Sequence, residues 1–396
     1  MGGMAMEAVR TAVIGLGDIS GVYLHAISRS PAVDLCRVAS RSSARAQHVG
    51  AQFDAEPSDV ASVLADPSIE MVVNLTPAIA HDDLNEAIIS AGKHLYSEKP
   101  FALSKAVASG LAASAARKGV LVGSAPDTLY GSVHQAARRA VDQGAIGREV
   151  FGMSFIGLPG LEMFHPNPSA FYRPGGEPPF DVGPYYIAMW INLLGPVRRV
   201  HATSASGQDM REVRRGPLAG TRFAVQVDTT FNAILEFETA SVSLVLSLDV
   251  VTPTLRPGEL FGSVGSLALA DPMFFSGSAS LTIAGSAPQP LDTTGLPFAE
   301  PNRRNHLGVP VADYRGVGLI DLALAIRTGR ANRKTADFIV HSVEVMEAIA
   351  IAARTRHAVD LTTTCARPEP LDPVDDAALI ALTASPFDFD PADAGH

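Results

Sequence analysis

The chain has 396 residues, of which 47% are hydrophobic and 18% charged, and its formal net charge is −10. Because a single hydrophobic core rarely serves more than about 250 to 300 residues, this length predicts two domains. The negative charge disfavours nucleic acid as a partner, and the sequence shows neither an apolar run of the roughly 20 residues that cross a bilayer nor an export signal, so we expect a cytoplasmic protein without membrane contact.

A strand, a glycine turn and a helix are predicted at the start of the chain. The β-branched run Val9–Ile14 is followed at once by Gly15 and Gly17 and then by a helical pattern over residues 22–27. Gly15 permits a tight turn, Gly17 lets a pyrophosphate approach the backbone, and Ser20 fits the small position where helix packs on strand. The pattern indicates a dinucleotide-binding turn, although the same glycines also occur in ordinary tight turns.

Strands and helices continue to alternate through the first third of the chain. Strands are predicted at Val33–Ala39 and at residues 71–75, 94–96 and 120–123, and helices at residues 44–49, 80–90 and 104–118. Alternation at this spacing predicts an α/β fold whose N-terminal domain is a doubly wound parallel sheet of the Rossmann type. We place this domain at residues 1–125 and a second domain at residues 126–396.

The end of the second predicted strand bears on the choice of nucleotide. An acidic residue there would bind the ribose 2′-hydroxyl, but this chain has Ser40, Arg41 and Arg45. Arginine grips phosphate with paired hydrogen bonds, so these residues favour NADP(H) over NAD(H). The alternative is that both arginines are simply solvated at the start of a helix.

Lys99 stands in the turn Glu98-Lys99-Pro100, directly after a predicted strand. Because proline keeps the preceding residue out of helical geometry, Lys99 should point its amine past the carboxyl end of that strand. Open α/β sheets bind their ligands at this edge. We predict that Lys99 touches both a nicotinamide ribose and a substrate hydroxyl. The alternative is a surface lysine paired with a neighbouring acid.

Residues 157–184 form a long segment rich in glycine and proline. Long irregular segments in compact domains are usually binding loops. Aromatic faces beside hydrogen-bonding groups suit a sugar, whose ring carries apolar C–H patches and a rim of hydroxyls. We predict His165 and Tyr172 as substrate contacts, with His165 preferred, and the alternative is a structural loop whose aromatic side chains pack inwards.

Asp181 and Tyr185 are four residues apart, which places them on one face if a helix begins here. A free tyrosine has a pKa near 10 and would be a poor base at neutral pH. A cation about 4 Å away contributes roughly 4 kcal/mol at an effective dielectric near 20, enough to lower a pKa by about two units. We therefore expect Lys99 to lower the pKa of Tyr185. The alternatives are a helix N-cap for Asp181 and a buried, hydrogen-bonded phenol for Tyr185.

The chain resembles the glucose-fructose oxidoreductase, inositol dehydrogenase and rhizopine-catabolism protein family, abbreviated Gfo/Idh/MocA, over nearly its whole length. The matching motifs are Gly15-Leu16-Gly17-Asp18-Ile19, Asn74-Leu75-Thr76-Pro77 with His81, Ala91-Gly92-Lys93-His94, Glu98-Lys99-Pro100, Gly175-Gly176 with Asp181-Val182-Gly183-Pro184-Tyr185-Tyr186, and Tyr314-Arg315-Gly316. Many members carry histidine at the position of Tyr185. This chain has tyrosine, like the glucose-fructose oxidoreductase branch.

The resemblance implies a fold and a cofactor site. The implied cofactor-binding residues are Gly15, Gly17, Asp18, Ile19, Thr76, Pro77, His81, Glu98 and Lys99. The implied C-terminal domain, residues 126–396, is an α+β domain for substrate binding and oligomerisation. Its large, mostly antiparallel sheet is implied to form subunit contacts with its outer face, so we expect a homodimer or homotetramer. The sequence agrees, because residues 229–237 and 242–251 have the pattern of a hairpin.

These patterns together predict an enzyme. We expect an NAD(P)-dependent oxidoreductase that transfers hydride between nicotinamide and a secondary alcohol or ketone of a sugar, cyclitol or anhydrosugar. In this hypothesis Tyr185 exchanges the substrate proton, Lys99 polarises the reacting oxygen and Asp181 orients both lysine and substrate. The resemblance leaves two alternatives, an NAD-dependent glycoside hydrolase that oxidises its substrate transiently and a non-catalytic sugar or nucleotide sensor.

No metal site is predicted. His201, His306 and His341 do not have metal-ligand spacing. Cys36 and Cys365 match neither a metal nor a disulfide pattern, so we expect both to be inert thiols.

Overall fold

Six parallel strands and the helices between them form the first part of the fold. The computed structural model describes residues 7–252, 255–304, 310–374 and 376–383. The strands are β1 (Val9–Ile14), β2 (Val33–Ala39), β3 (Glu56–Ser58), β4 (Met71–Asn74), β5 (His94–Ser97) and β6 (Val122–Ser124), and the helices are α1 (Ser20–Arg29), α2 (Ser43–Phe53), α3 (Val60–Ala65), α4 (His81–Ser90) and α5 (Lys105–Lys118). The strand order β3-β2-β1-β4-β5-β6 is that of a dinucleotide-binding sheet, which confirms the predicted Rossmann fold.

Local sequence signals account for most of these boundaries. Ser104 caps α5 by accepting a hydrogen bond from the Val107 amide at 3.3 Å, and Gly119 ends the helix in the left-handed conformation. The helix predicted from residue 80 begins instead with a 3₁₀ turn at Ala78–Ala80. The sequence did not predict β3 or α3, because three- and six-residue elements are too short to show a hydrophobic period.

A nine-stranded sheet dominates the second part of the fold. Its elements are β7 (Glu149–Gly157), β8 (Arg199–Ala205), β11 (Thr230–Glu236), β12 (Ser241–Ser247), β13 (Gly258–Gly262), β14 (Gly265–Leu269), β15 (Ser280–Ile283), β16 (Gln289–Pro290) and β19 (Val359–Asp360). The remaining elements are the short strands β9 (Met210–Glu212), β10 (Arg222–Ala224), β17 (Arg303–Arg304) and β18 (Pro310–Val311) and the helices α6 (Ser132–Asp142), α7 (Pro178–Asp181), α8 (Gly183–Leu194), α9 (Val317–Thr328), α10 (Ala336–Thr355) and α11 (Ala377–Thr383). In the nine-stranded sheet, neighbouring strands are antiparallel except for the parallel pair β7 and β12. Strands β11 and β12 form the predicted hairpin, so the expected sheet is confirmed.

One face of this sheet is covered by helices and the other is open. On the covered face, Trp190 of α8 is fully buried and its ring fills the space above Gly152, where a Cβ would lie 2.5 Å away. The indole N–H donates to Ser154 Oγ at 3.0 Å, which satisfies the one polar atom of that side chain. On the open face, Phe151 and Met153 remain 44% and 48% exposed.

The chain returns to the first sheet after completing most of the second. Helix α9 packs against β1 and β6. Asn332 then donates to the carbonyl oxygen of Val122, the first residue of β6, at 3.1 Å. The division at residues 125 and 126 stays a prediction, and later segments pack against the first sheet. None of the helices described here is long and apolar enough to cross a membrane.

Candidate active site

The glycine turn after β1 is shaped for close approach of a ligand. Gly15 has φ +98°, and a Cβ there would lie 2.6 Å from the backbone of Leu75, so the fold itself requires glycine. A Cβ at Gly17 would meet no protein atom within 4 Å. Helix α1 begins beside it with no side-chain cap, and Asp18 is exposed and Ile19 half-buried in the same turn. The open backbone at Gly17 and the helix N-terminus fit the diphosphate of a dinucleotide.

The segment after β2 carries an arginine that contacts this glycine turn. Ser42 caps α2 by accepting from the Arg45 amide at 3.3 Å, and Ser40 Oγ accepts from the Ser42 amide at 3.3 Å. The Arg45 side chain donates its Nε hydrogen to the carbonyl oxygen of Leu16 at 3.1 Å. Arg41 is exposed at the start of α2. The Arg45 guanidinium therefore lies at the glycine turn, and Arg41 is four residues before it in the chain.

His81 braces two turns of the site. It is fully buried, and its ring nitrogens lie 2.7 Å from the carbonyl oxygen of Thr76 and 2.6 Å from that of Pro100. Both ring nitrogens thus contact backbone oxygens, and the side chain has no exposed surface, so the expectation that His81 touches the cofactor is wrong. Its effect on the cofactor would be indirect, since it ties the Thr76-Pro77 turn after β4 to the Glu98-Lys99-Pro100 turn after β5.

Lys99 and Asp181 form an ion pair across the two parts of the fold. Lys99 Nζ donates to Asp181 Oδ1 and to the Asp181 carbonyl oxygen, each at 2.7 Å, and the two side chains are only 17% and 12% exposed. Burial lowers the pKa of Lys99, but the electrostatic effects of Asp181, Tyr185 and Glu98 together raise the pKa by more than burial lowers it. The net shift of the pKa is upward. Lys99 is therefore an ammonium at neutral pH.

Glu98 lies behind this pair and is 9% exposed. Its Oε1 accepts a hydrogen bond from the Tyr23 hydroxyl at 2.7 Å, and its Oε2 accepts one from the backbone amide of Lys99 at 2.9 Å. The carboxylate therefore fixes the backbone from which the lysine side chain extends.

Tyr185 lies beside the ion pair with its hydroxyl available. Lys99 Nζ is 5.6 Å from the centre of the Tyr185 ring, and the hydroxyl makes no hydrogen bond to any residue that the structure describes. The charge of Lys99 lowers the pKa of this phenol, as predicted, but the net shift of the pKa is upward. Burial raises the pKa more than the charges of Lys99 and Arg315 lower it. At neutral pH the group is a phenol, which can donate a proton.

Asp181 and Tyr185 belong to two helices instead of one. Asp181 is the last residue of α7, Val182 follows it, and Tyr185 lies in the first turn of α8 with Pro184 before it. The interpretation of Asp181 as an N-cap is wrong, since its carboxylate binds Lys99 and α8 has no side-chain cap. The structure nevertheless brings Lys99, Asp181 and Tyr185 together.

The two residues predicted to contact substrate on the loop differ in their surroundings. Tyr172 is fully buried, its hydroxyl donates to Glu162 Oε2 and accepts from the Leu161 amide, and Arg211 lies 4.9 Å above its ring. The prediction that Tyr172 contacts substrate is therefore wrong. His165 is half-buried, with its ring edge against Phe171 at 5.1 Å, and its role stays a prediction.

Three further polar residues near the site were not predicted as part of it. Arg315 forms an ion pair with Asp313 at 2.9 Å, and its motif, Tyr314-Arg315-Gly316, was the available signal. Tyr23 binds Glu98, and Asp127 accepts from the Tyr96 hydroxyl at 2.5 Å. Nothing in the sequence around Tyr23 or Asp127 separates them from ordinary core and turn residues. Among the described residues no group of His, Cys, Asp and Glu could hold a metal ion, and His306 lies outside them.

Two family models match the chain. Residues 9–125 match an oxidoreductase family with an NAD-binding Rossmann fold, and residues 134–268 match the GFO/IDH/MocA C-terminal domain. The chain belongs to the GFO/IDH/MocA family. The resemblance drawn from its motifs is thereby confirmed, and the first match coincides with the parallel sheet of this GFO/IDH/MocA protein.

Named relatives of this GFO/IDH/MocA protein include a dehydrogenase and a reductase. It is 29% identical over 152 residues to scyllo-inositol 2-dehydrogenase (NAD(+)) of Bacillus subtilis (strain 168). This alignment covers 37% of this chain and 44% of that protein. It is 25% identical over 363 residues to dTDP-3,4-didehydro-2,6-dideoxy-alpha-D-glucose 3-reductase of Streptomyces antibioticus. This alignment covers 89% of this chain and 99% of that protein. The alignment thus spans less than half of the first relative and nearly all of the second.

Solved structures share the fold. Levoglucosan dehydrogenase in complex with NADH and levoglucosan aligns with a TM-score of 0.76 at 18% identity, covering 90% of this chain and 100% of that one. At this level of identity the likeness shows the fold alone.

Proposed function

We propose that this GFO/IDH/MocA protein is an NADP(H)-dependent oxidoreductase that acts on a secondary alcohol or ketone of a sugar, cyclitol or anhydrosugar. The observation that carries the proposal is the Lys99–Asp181 ion pair at the carboxyl edge of a dinucleotide-binding sheet, beside a Tyr185 hydroxyl that is hydrogen-bonded to none of the described residues. The names of the relatives, an inositol dehydrogenase and a deoxysugar-nucleotide reductase, support the substrate class.

Three side chains, those of Tyr185, Lys99 and Asp181, take part in the proposed proton transfer. In reduction, the Tyr185 phenol donates its proton to the substrate carbonyl oxygen and becomes a phenolate, and in oxidation the phenolate takes the hydroxyl proton. Two of the three N–H bonds of Lys99 are committed to Asp181, which leaves the third to polarise the same oxygen. Asp181 holds the ammonium in place.

The residues that would hold the cofactor run along one edge of the first sheet. The turn at Gly15, Gly17, Asp18 and Ile19 would hold the diphosphate, Ser40, Arg41 and Arg45 the ribose with its 2′-phosphate, and Thr76, Pro77, Glu98 and Lys99 the nicotinamide half. A nicotinamide dinucleotide bound there supplies the hydride donor or acceptor. The contacts of His81 with both Thr76 and Pro100 join the two turns at the nicotinamide end.

Substitutions at Lys99 and Tyr185 test the function. Lys99→Ala and Tyr185→Phe should each lower kcat by about 100-fold or more, while the Kd for the dinucleotide changes little, because acid–base catalysis is lost and the phosphate site is intact. Tyr186→Phe is the matched control, since the neighbouring hydroxyl binds Asp271 at 3.2 Å outside the site, and this variant should keep its turnover. Near-normal turnover in both site variants would refute the mechanism.

The preference for NADP(H) has its own test. Arg41→Ala should lower kcat/KM for NADPH by about tenfold or more and leave that for NADH nearly unchanged, because one guanidinium grip on the 2′-phosphate is lost. Arg117→Ala removes an equally exposed charge from the end of α5 and should change neither value. A wild-type enzyme that prefers NADH would contradict the assignment.

Cofactor turnover separates the proposed reaction from the alternatives. Nothing in the named relatives favours a glycoside hydrolase. A screen of sugars and cyclitols with both cofactors, followed at the absorbance of the reduced nicotinamide, should show net oxidation or reduction. Release of free sugar without a net absorbance change would indicate the glycosidase instead, and binding without turnover would indicate a sensor.

We also propose that the protein is a homodimer or homotetramer built on the open face of the nine-stranded sheet. Phe151 and Phe261 stack there with ring centres 4.5 Å apart, and Met153 and Ile234 lie on the same face. Exposed apolar side chains grouped on one sheet face are typical of an interface.

A further inference from the structure

A small cavity lies between α6 and α8, and Tyr185 forms part of its wall. Met189 and Leu269 give it apolar surface, and Thr128 and His134 line it with polar side chains. Its volume is about 10 Å³, which is close to the room that one buried water needs. Because a sugar hydroxyl is no larger than a water, the cavity fits one hydroxyl group.

The ring of His134 has one nitrogen left to accept a hydrogen bond. His134 is 5% exposed, and its Nε2 lies 2.8 Å from the carbonyl oxygen of Phe274. A carbonyl oxygen only accepts, so Nε2 carries the hydrogen. Burial lowers the pKa of His134, so the ring is neutral at pH 7 and Nδ1 keeps its lone pair. Nδ1 is hydrogen-bonded to none of the described residues, and it is therefore an acceptor in need of a donor.

Thr128 is the second buried polar group in this cavity. It is 2% exposed, and its carbonyl oxygen accepts from the Gly131 amide at 2.9 Å, which fixes the turn before α6. Its hydroxyl has no hydrogen-bond partner in the described part of the chain. Buried polar groups in native proteins are nearly always hydrogen-bonded. Two such groups in one small cavity indicate a ligand that bonds to both.

The other lining residues narrow the chemistry of that ligand. No lysine, arginine or acidic residue is among the described residues that line the cavity, so a phosphate or carboxylate has no counter-charge there. The side-chain oxygen of Asn192, which also lines it, accepts from Arg138 at 3.0 Å. An apolar group would leave His134 Nδ1 and the Thr128 hydroxyl without partners. A hydroxyl both donates and accepts, so it satisfies the two together.

We propose that this cavity is a subsite for one hydroxyl group, which donates to His134 Nδ1 and accepts from the Thr128 hydroxyl. The hydroxyl comes from the sugar or cyclitol substrate or from a water molecule. Where it comes from the substrate, the inference rests on the proposed function. Tyr185 lines the cavity and also lies beside Lys99, so the subsite selects for a hydroxyl close to the reacting carbon.

Two crystal structures of the full-length protein test the subsite, one without a sugar and one soaked with myo-inositol. This cyclitol has a hydroxyl on every ring carbon, so one is available whichever carbon reacts. We expect an oxygen about 2.7 to 3.2 Å from His134 Nδ1. An oxygen of the inositol identifies the substrate as its source, and a water in both structures identifies water. No oxygen within this distance in either structure would overturn the proposal.

Two variants of His134 separate binding of the hydroxyl from the bond to Phe274. The amide nitrogen of His134→Gln can still donate to the Phe274 carbonyl, but the variant has no acceptor at the position of Nδ1. His134→Asn keeps an acceptor near that position and loses the bond to Phe274. The oxygen should disappear in His134→Gln and remain in His134→Asn. If the substrate supplies it, KM for the sugar or cyclitol should rise about threefold to tenfold in His134→Gln with little change in kcat. The opposite order of the two variants would show a structural role through Phe274 and refute the subsite.

The crystal structures also keep failure of the subsite distinct from failure of the proposed function. An oxygen bound at His134 Nδ1 in a protein that turns over no sugar or cyclitol would support the subsite and refute the oxidoreductase. Turnover by a protein with no oxygen at Nδ1 would refute the subsite alone.

Discussion

Two tyrosines that lie close together in the chain show that residue type alone does not determine the role of a side chain. Tyr185 is half-buried with no hydrogen bond to its hydroxyl among the described residues, whereas Tyr172 is fully buried and its hydroxyl binds Glu162. Tyr172 lies in the glycine- and proline-rich segment of residues 157–184 and Tyr185 directly follows that segment, and both were predicted to contact substrate. The sequence could not separate them, because Arg211, which packs on Tyr172, is 39 residues away in the chain.

Removing the Tyr172 hydroxyl should therefore affect stability and not substrate affinity. Tyr172→Phe leaves the buried Glu162 without one of its donors, so we expect the free energy of unfolding to fall by about 1 to 3 kcal/mol. Urea unfolding measures this, and KM should stay unchanged. His165→Ala is the comparison, because a substrate contact there would raise KM with little effect on unfolding. A raised KM in Tyr172→Phe would restore its predicted role.

The two glycines of the dinucleotide turn should respond differently to alanine. Gly15→Ala places a Cβ at φ +98° and 2.6 Å from the Leu75 backbone, so unfolding should become easier by about 1 to 3 kcal/mol or more. Gly17→Ala meets no protein atom within 4 Å, so stability should hold while the Kd for the dinucleotide rises about tenfold or more. Unfolding curves and fluorescence titrations measure the two effects. Unaltered dinucleotide binding in Gly17→Ala would place the cofactor elsewhere.

At the scale of elements, the helix expected to carry both Asp181 and Tyr185 is divided in two. The four-residue spacing predicted one helical face, but Pro184 lies in the first turn of α8 and starts a new helix after Val182. Spacing is a reliable guide only within one continuous helix. The two side chains still reach the same site, because Lys99, which comes from the other sheet, binds Asp181 and lies over the Tyr185 ring.

Helix α10 carries a buried histidine that should make stability depend on pH. His341 is fully buried, its Nε2 accepts from the Val197 amide at 2.9 Å, and burial lowers its pKa from 6.5 to about 4. Between these pH values the unfolded chain binds a proton that the folded protein does not, so acidification should destabilise the fold. The free energy of unfolding should fall by up to about 1.4 kcal/mol per pH unit from this residue.

Urea unfolding between pH 4 and 6.5 measures this contribution. His341→Gln removes the titrating group, so the slope of unfolding free energy against pH should become shallower, whatever the variant's stability at pH 7. Equal slopes in the two proteins would show that His341 does not titrate in this window.

At the scale of the whole molecule, the nine-stranded sheet exposes apolar side chains on the face that none of the described helices covers. Met153→Lys on β7 would place a charge at the centre of the proposed interface, so the assembled protein should dissociate to a monomer. Sedimentation velocity measures the mass. Gln208→Lys, in the exposed turn after β8, adds the same charge elsewhere and should leave the assembly intact. A monomeric wild-type protein would contradict the proposed interface.

The sequence by itself determined the features that depend on neighbouring residues. Alternating apolar runs and caps such as Ser104 specified the parallel sheet and most of its helices, and Gly15, Gly17 and the Glu98-Lys99-Pro100 turn marked its ligand-binding edge. Only the tertiary structure decided which polar atoms are hydrogen-bonded, how burial offsets charge at Tyr185, and that Lys99 and Asp181 meet across the two parts of the fold. The physical reason is range, because backbone preferences act over a few residues, whereas burial and electrostatic interactions depend on segments that are far apart in the chain.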